Sequence, residues 1–195
     1  MLLSDLSFVG ARFWDGFDKD SVASQYEPAP VDRLVAWLID WLCVLAWVAV
    51  TAAVGTAFYL TGATVGLSPG ALNIIATATV VVPVTIALAW LESSSREATI
   101  GKRTRRLRVV DTDSGSRVPF PRALLRNALK IAVSWTMGHA VVFEIVQTSE
   151  AGAIPGWLWV ATAGAYVLPA VYVVWLFVRR GRTPYDWISR TTVTW

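Results

Sequence analysis

The sequence predicts an all-α membrane protein. It would be a four-helix transmembrane bundle with a short cytoplasmic β-hairpin and an amphipathic helix between spans 2 and 3. Three observations carry this expectation. Hydrophobic residues make up 55% of the 195 positions and charged residues only 16%, against roughly 25% charged in a soluble domain, and mean hydropathy is +0.51. The apolar residues gather into four long runs. The 17 lysines and arginines avoid two of the connections between those runs.

Residues 1–30 come first, as a tail distinct from the membrane domain of residues 31–195. The start MLLSDLSFVGARFWDGFDKD lacks the basic beginning and unbroken apolar stretch of a signal peptide. Phe8, Phe13, Trp14 and Phe17 suit one side of an interfacial helix, and a partly ordered cytoplasmic tail fits as well. QYEPAP then disfavours helix, since each proline restricts the residue before it.

Four spans are expected at about residues 34–60, 71–91, 123–146 and 156–178. A crossing takes about 20 mostly apolar residues. The third run is short by itself and contains His139 and Glu144, so its helix is expected to start near Arg122, with basic first turns at the interface. The first is long enough to tilt or to end early. Pro83 and Pro169 fall inside spans, as kinks or as breaks beside a binding site. Trp37, Trp90, Trp157, Trp159 and Trp175 fall near span ends, where aromatic belts form. Cys43 is the lone cysteine, so no intrachain disulfide exists; its apolar neighbours suggest a packing role.

Charge sets the orientation. Arg12, Lys19 and Arg33 precede or begin span 1. Ten basic residues, from Arg96 to Lys130, lie between spans 2 and 3, and Arg179, Arg180, Arg182 and Arg190 follow span 4. None lies in the other two connections. Basic loops stay inside, which predicts a multi-pass protein of the cell (plasma) membrane with both termini cytoplasmic. Topology thus accounts for the basic charge, and no nucleic-acid partner is expected. The bilayer is the primary partner, and anionic lipid headgroups suit the juxtamembrane cluster.

The cytoplasmic loop of residues 92–122 has internal order. RLRVVD alternates basic and apolar residues, TDSGS is a turn, and RVPF can return, which predicts the hairpin. Pro121 suits a first helical turn. In PRALLRNALK, Leu124, Leu125, Ala128 and Leu129 share one face while Arg122, Arg126 and Lys130 share another. That pattern predicts an amphipathic helix on the membrane surface.

The candidate site begins with Arg33 and Asp40, seven residues apart. Two turns place them on one face, with Asp40 about 10 Å deeper. A charge at the bilayer centre costs about 2.5–3.5 kcal/mol or more, so Asp40 should face the protein or a wet cavity and have a partner. Asp186 lies just past span 4 on the same side. An Arg33–Asp186 pair would clasp span 1 to the end of the chain, using the arginine's two-pronged geometry.

An Arg entering the first span, an Asp within it and an Asp beyond the last resemble the RDD family of integral membrane proteins. LESSSREATIGKRTRRLRVVD resembles that family's central signature: a Glu, a Thr-x-Gly-Lys-Arg turn and an L-x-V-V-D strand. RALLRN is similar to the stretch that follows. YDWISRTTV resembles the closing segment, with Tyr185 where many members have His. The resemblance covers about residues 30–195. It implies Arg33, Asp40 and Asp186 as the defining residues, with Glu92, Thr99, Gly101 and Lys102 as companions. It also implies transport as the suggested role, with ion exchange among the proposals.

Two readings of function stay open. One is transport of a small ion or solute using Asp40, with His139 as a possible partner in a proton relay, since histidine titrates near neutral pH. A limited path within four spans would favour a homo-oligomer. The other is a non-transporting adaptor that binds other membrane proteins or anionic lipids through its basic loop. In either, Arg33, Asp40 and Asp186 could serve as a folding clasp and His139 as a hydrogen-bonded core residue. No cofactor is expected and no enzyme: no metal-ligand cluster, nucleophile–base pair or cofactor loop is present. The GKR turn lacks the glycine-rich run of a phosphate loop, and Gly101 is expected to permit a tight turn.

Overall fold

A computed structural model describes residues 28–149, 155–178 and 182–195. The tail helix considered above falls before residue 28, outside the described residues. Four helices are long and apolar enough to cross a membrane, at Pro30–Leu60, Pro69–Ser93, Phe120–Thr148 and Gly156–Val178. The first, second and fourth are α1, α2 and α6. The third is composite: α4 (Phe120–Asn127), a π turn (Ala128–Ala132) and α5 (Val133–Ser149). Their apolar windows are largely uncovered by protein, with only 6% of the fourth and 17% of the first buried. Lipid, not a large internal core, solvates these surfaces, as expected when acyl chains are as apolar as leucine.

The remaining elements gather at one end of the bundle, where the arginines are. They are α3 (Ile100–Thr104), β1 (Arg108–Asp111), α7 (Pro184–Ile188) and β2 (Thr191–Thr194). Helix α1 is 31 residues long, about 46 Å at 1.5 Å per residue, and exceeds the hydrocarbon thickness of about 30 Å. Its first turns therefore belong to this charged end. Arg33, Ala36, Asp40 and Val44 are its buried residues. Spacings of three and four keep them on one stripe facing the protein.

Helix ends follow local chemistry. Ser68 caps α2 by accepting from the Ala71 N–H at 3.2 Å, with Pro69 in the first turn. Pro83 lies inside α2 without ending it. Its missing N–H frees the Thr79 carbonyl one turn back, and the Trp47 indole N–H of α1 donates to that carbonyl at 3.2 Å. A neighbouring span thus satisfies the group the proline leaves open.

The expected hairpin is corrected. Strand β1 pairs antiparallel with the distant β2, in the register Arg108↔Thr194 to Asp111↔Thr191. The RVPF segment returns only far enough for one isolated bridge, Val110↔Arg117. Two residues later Pro119 caps α4; it has no N–H for a ladder. Four β-branched residues, Thr-Thr-Val-Thr, offer a longer partner at the other end of the chain. Arg106 and Arg190 adopt left-handed φ of 58° and 50°, and each turns a short helix toward its strand. Val109, Val193, Leu107, Val118, Ala123, Ala36 and Ala89 form the core beneath the sheet.

The amphipathic helix is also corrected in its facing. Arg126, Asn127 and Lys130 are buried, while Leu125 is 44% exposed. Arg126 and Lys130 point into the protein, where the second span's carboxylate lies, and Leu125 points outward, while Leu124 packs against the core beneath the sheet.

Candidate functional site

The site is built where α1, α2, the composite third span and α7 meet. Asp40 is 4% exposed. Its Oδ2 accepts from the Thr99 hydroxyl at 2.6 Å and its Oδ1 from the Gly101 N–H at 2.8 Å. Thr99 is the N-cap of α3 and accepts in turn from the Lys102 N–H at 3.4 Å. The carboxylate therefore seats the start of a short helix, where backbone N–H groups lack partners. Gly101 is explained by this docking and not by the tight turn expected for it: its φ is not left-handed. A Cβ there would overlap the Ala36 carbonyl oxygen and stand 3.0 Å from Asp40 Oδ1.

Glu92, the penultimate residue of α2, is fully buried. Its Oε1 accepts from Lys102 Nζ at 2.6 Å and Arg126 Nη1 at 2.5 Å, and its Oε2 from Asn127 Nδ2 at 2.7 Å. Arg126 turns its other edge to Asp186, with Nε and Nη2 at 2.9 and 2.7 Å from Oδ1. Its guanidinium also lies 5.4 Å from the Tyr185 ring centroid. Asp186 Oδ2 accepts from Arg33 Nη2 at 2.5 Å and from the Thr183 N–H at 3.1 Å. Lys102, Glu92, Arg126, Asp186 and Arg33 thus form one continuous buried chain of alternating charge. Burial raises the Asp186 pKa, but Arg126 and then Arg33 outweigh it and hold the carboxyl below the usual carboxylate range. Burial lowers the pKa of Lys102, against the attraction of Glu92, and raises that of Tyr185, helped by the charge of Asp186.

All seven residues singled out as defining or companion positions meet here. They do so in pairs not all foreseen: Arg33 reaches Asp186 and not Asp40, whose partners are a hydroxyl and a backbone amide. His139 lies apart, its Nδ1 3.1 Å from the Thr77 hydroxyl, and no contact joins it to Asp40 among the described residues. Cys43 is exposed, not packed inside. Arg126, Asn127 and Lys130 belong to the site although the sequence placed the two basic residues on a surface face. The usable signal was a run of polar residues, R-N-x-x-K, leading straight into an apolar span.

A cavity of about 70 Å³ opens beside this chain, and Arg33, Asp40, Lys102, Arg126, Lys130 and Tyr185 are among its walls. Pro169, from span 4, also lines it, within a helix that runs unbroken from Gly156 to Val178. The space suits a small ion or a few waters. No group of His, Cys, Asp or Glu suited to a metal occurs among the described residues. No curated protein and no solved structure matches the chain. The sequence profile of the RDD family matches residues 28–190. That range holds every residue of the buried charge chain, and the protein belongs to the RDD family of membrane proteins.

Proposed function

We propose that this protein carries a small ion or solute across the membrane and that the buried charge cluster is its binding centre. The supporting observation is the cavity, because it sets Asp40, Arg33, Lys102 and Lys130 around a space of ionic size beside the spans. Buried charges at the end of a span are costly unless paired or functional, and not every charge here is paired. The charged end is read as cytoplasmic, following the bias of basic residues, in the cell membrane. A four-span path is narrow, so the working form is read as a homo-oligomer. The protein is read as non-enzymatic, its one histidine being bonded to a threonine. Reconstitution in liposomes tests transport: an imposed ion or pH gradient should dissipate faster than in empty vesicles. Asp40→Asn, checked for folding by gel filtration, should reduce the rate about tenfold or more. Wild-type vesicles no leakier than empty ones, or a variant as fast as wild type, would refute it.

A second reading is an adaptor. Arg96, Arg105, Arg106, Arg108 and Arg117 are exposed at the charged end, where Trp187 is 74% exposed. Basic and aromatic groups together suit anionic lipid headgroups or a membrane-protein partner. Replacing these arginines by glutamine should then deplete co-purifying anionic lipid or partners, and wild-type vesicles should be no leakier than empty ones.

A further inference from the structure

We propose that the cavity binds a small inorganic anion, held by Lys130. This rests on the cavity invoked above and specifies the class of its occupant. The cluster around the cavity has four buried cations, Arg33, Lys102, Arg126 and Lys130, and three buried carboxylates, Asp40, Glu92 and Asp186. Three of those cations are in ion pairs. Lys130 is 8% exposed and lines the cavity, and no salt bridge or hydrogen bond partners its ammonium among the described residues. Lys130 is the middle residue of the π turn, a departure from regular helix that is frequent at functional sites. The Tyr172 hydroxyl of span 4 holds that turn by donating to the Leu129 carbonyl at 3.2 Å.

Its neighbours are donors too. Ser134 and Trp41 line the same cavity. The Ser134 hydroxyl and the Trp41 indole N–H are buried without a hydrogen-bond partner among the described residues. Arg33 uses Nη2 on Asp186 and leaves the rest of its five N–H donors without a partner among the described residues. Both Asp40 oxygens, by contrast, already accept. Unmet donors with one excess positive charge favour an anion over a cation, because a buried ammonium and buried N–H groups both gain from an acceptor. Ionic size follows from the small volume, and chloride or nitrate fits that description.

The test is anion-dependent stability of the purified full-length chain in detergent. Chloride and nitrate should raise the melting temperature over gluconate at equal ionic strength, and saturably. Lys130→Met should abolish the rise while melting no lower than wild type in gluconate, since it removes an unpaired buried cation. Ser134→Ala should weaken the apparent affinity about tenfold. A wild type indifferent to anion identity, a rise that survives Lys130→Met, or a Lys130→Met protein destabilised in gluconate would each overturn the proposal. Nanodiscs of phosphatidylcholine with and without phosphatidylglycerol distinguish the source. Stabilisation by the anionic lipid and not by chloride or nitrate would assign the site to a headgroup and refute the small-anion assignment. Because binding in detergent needs no gradient, saturable binding without flux would retain this inference and remove transport. Flux without saturable binding would do the reverse.

Discussion

Asp40 and Thr99 are 59 positions apart in the chain and 2.6 Å apart in the protein. The hydroxyl that caps a five-residue helix also donates to a carboxylate on the first span. One acid therefore docks the whole loop after span 2. Isolated helices this short do not persist in water, so α3 depends on that seat.

Gly101→Ala should separate α3 from α1, because the nearest atoms its Cβ meets are those of the Ala36 backbone carbonyl, which cannot swing away. Overpacking of this kind costs about 1–3 kcal/mol. Asp40→Asn should cost a similar amount, since its amide turns a donor toward a donor. Thermal unfolding in detergent checks both, with Ser116→Ala, on the exposed turn after β1, as the control that should leave the melting temperature nearly unchanged.

Asp186→Asn should destabilise by about 3–5 kcal/mol, the usual penalty for leaving buried partners of a charge network uncompensated. Arg33→Gln and Arg126→Gln should each be similarly harmful. The Arg33→Gln/Asp186→Asn double variant should be less damaging than the sum, with a coupling of about 0.5–3 kcal/mol. Additive losses would show that the pair does not act as a unit.

Acid should spare the fold over most of the carboxylate range. The Asp186 pKa is depressed in the folded protein relative to about 3.9 unfolded. Its contribution is then fully present above that value and disappears only as pH falls through the lower folded value. Melting temperature should stay level from neutral down to about pH 5 and decline below about pH 4. The Asp186→Asn variant should lose only part of that acid-dependent decline, because Glu92 is still paired with Lys102 and Arg126.

The Trp47–Thr79 bond yields a conditional prediction. Trp47→Phe should cost about 0.6 kcal/mol, typical of an interhelical hydrogen bond in a membrane. In a Pro83→Ala background the cost should fall toward zero, because the substituted alanine supplies the backbone N–H that the Thr79 carbonyl lacks. An equal cost in both backgrounds would show that Trp47 acts by packing alone.

Much of this architecture is legible locally. The spans show in the apolar runs because length against bilayer thickness is a property of each run alone. Arg33, Asp40 and Asp186 are recognisable because a charge near lipid is anomalous wherever it occurs. The partner of β1 was not legible. RVPF is nearest in sequence and could begin a ladder, whereas β2 lies at the far end of the chain, beyond spans 3 and 4. Only the folded path of span 4 brings it close. The burial of Arg126 and Lys130 on α4 and the turn after it was not legible for a related reason: an amphipathic pattern defines two faces but not which one meets the rest of the protein.

From sequence alone came the four crossings, their common basic end and the residues at which charge and lipid conflict, all consequences of transfer energies that each segment carries by itself. Tertiary structure alone decided who answers those charges: a hydroxyl and an amide for Asp40, Arg33 and Arg126 for Asp186, and for Lys130 no hydrogen bond or salt bridge among the described residues. Pairing depends on which helices meet and at what depth, and those distances exist only once the chain has closed on itself.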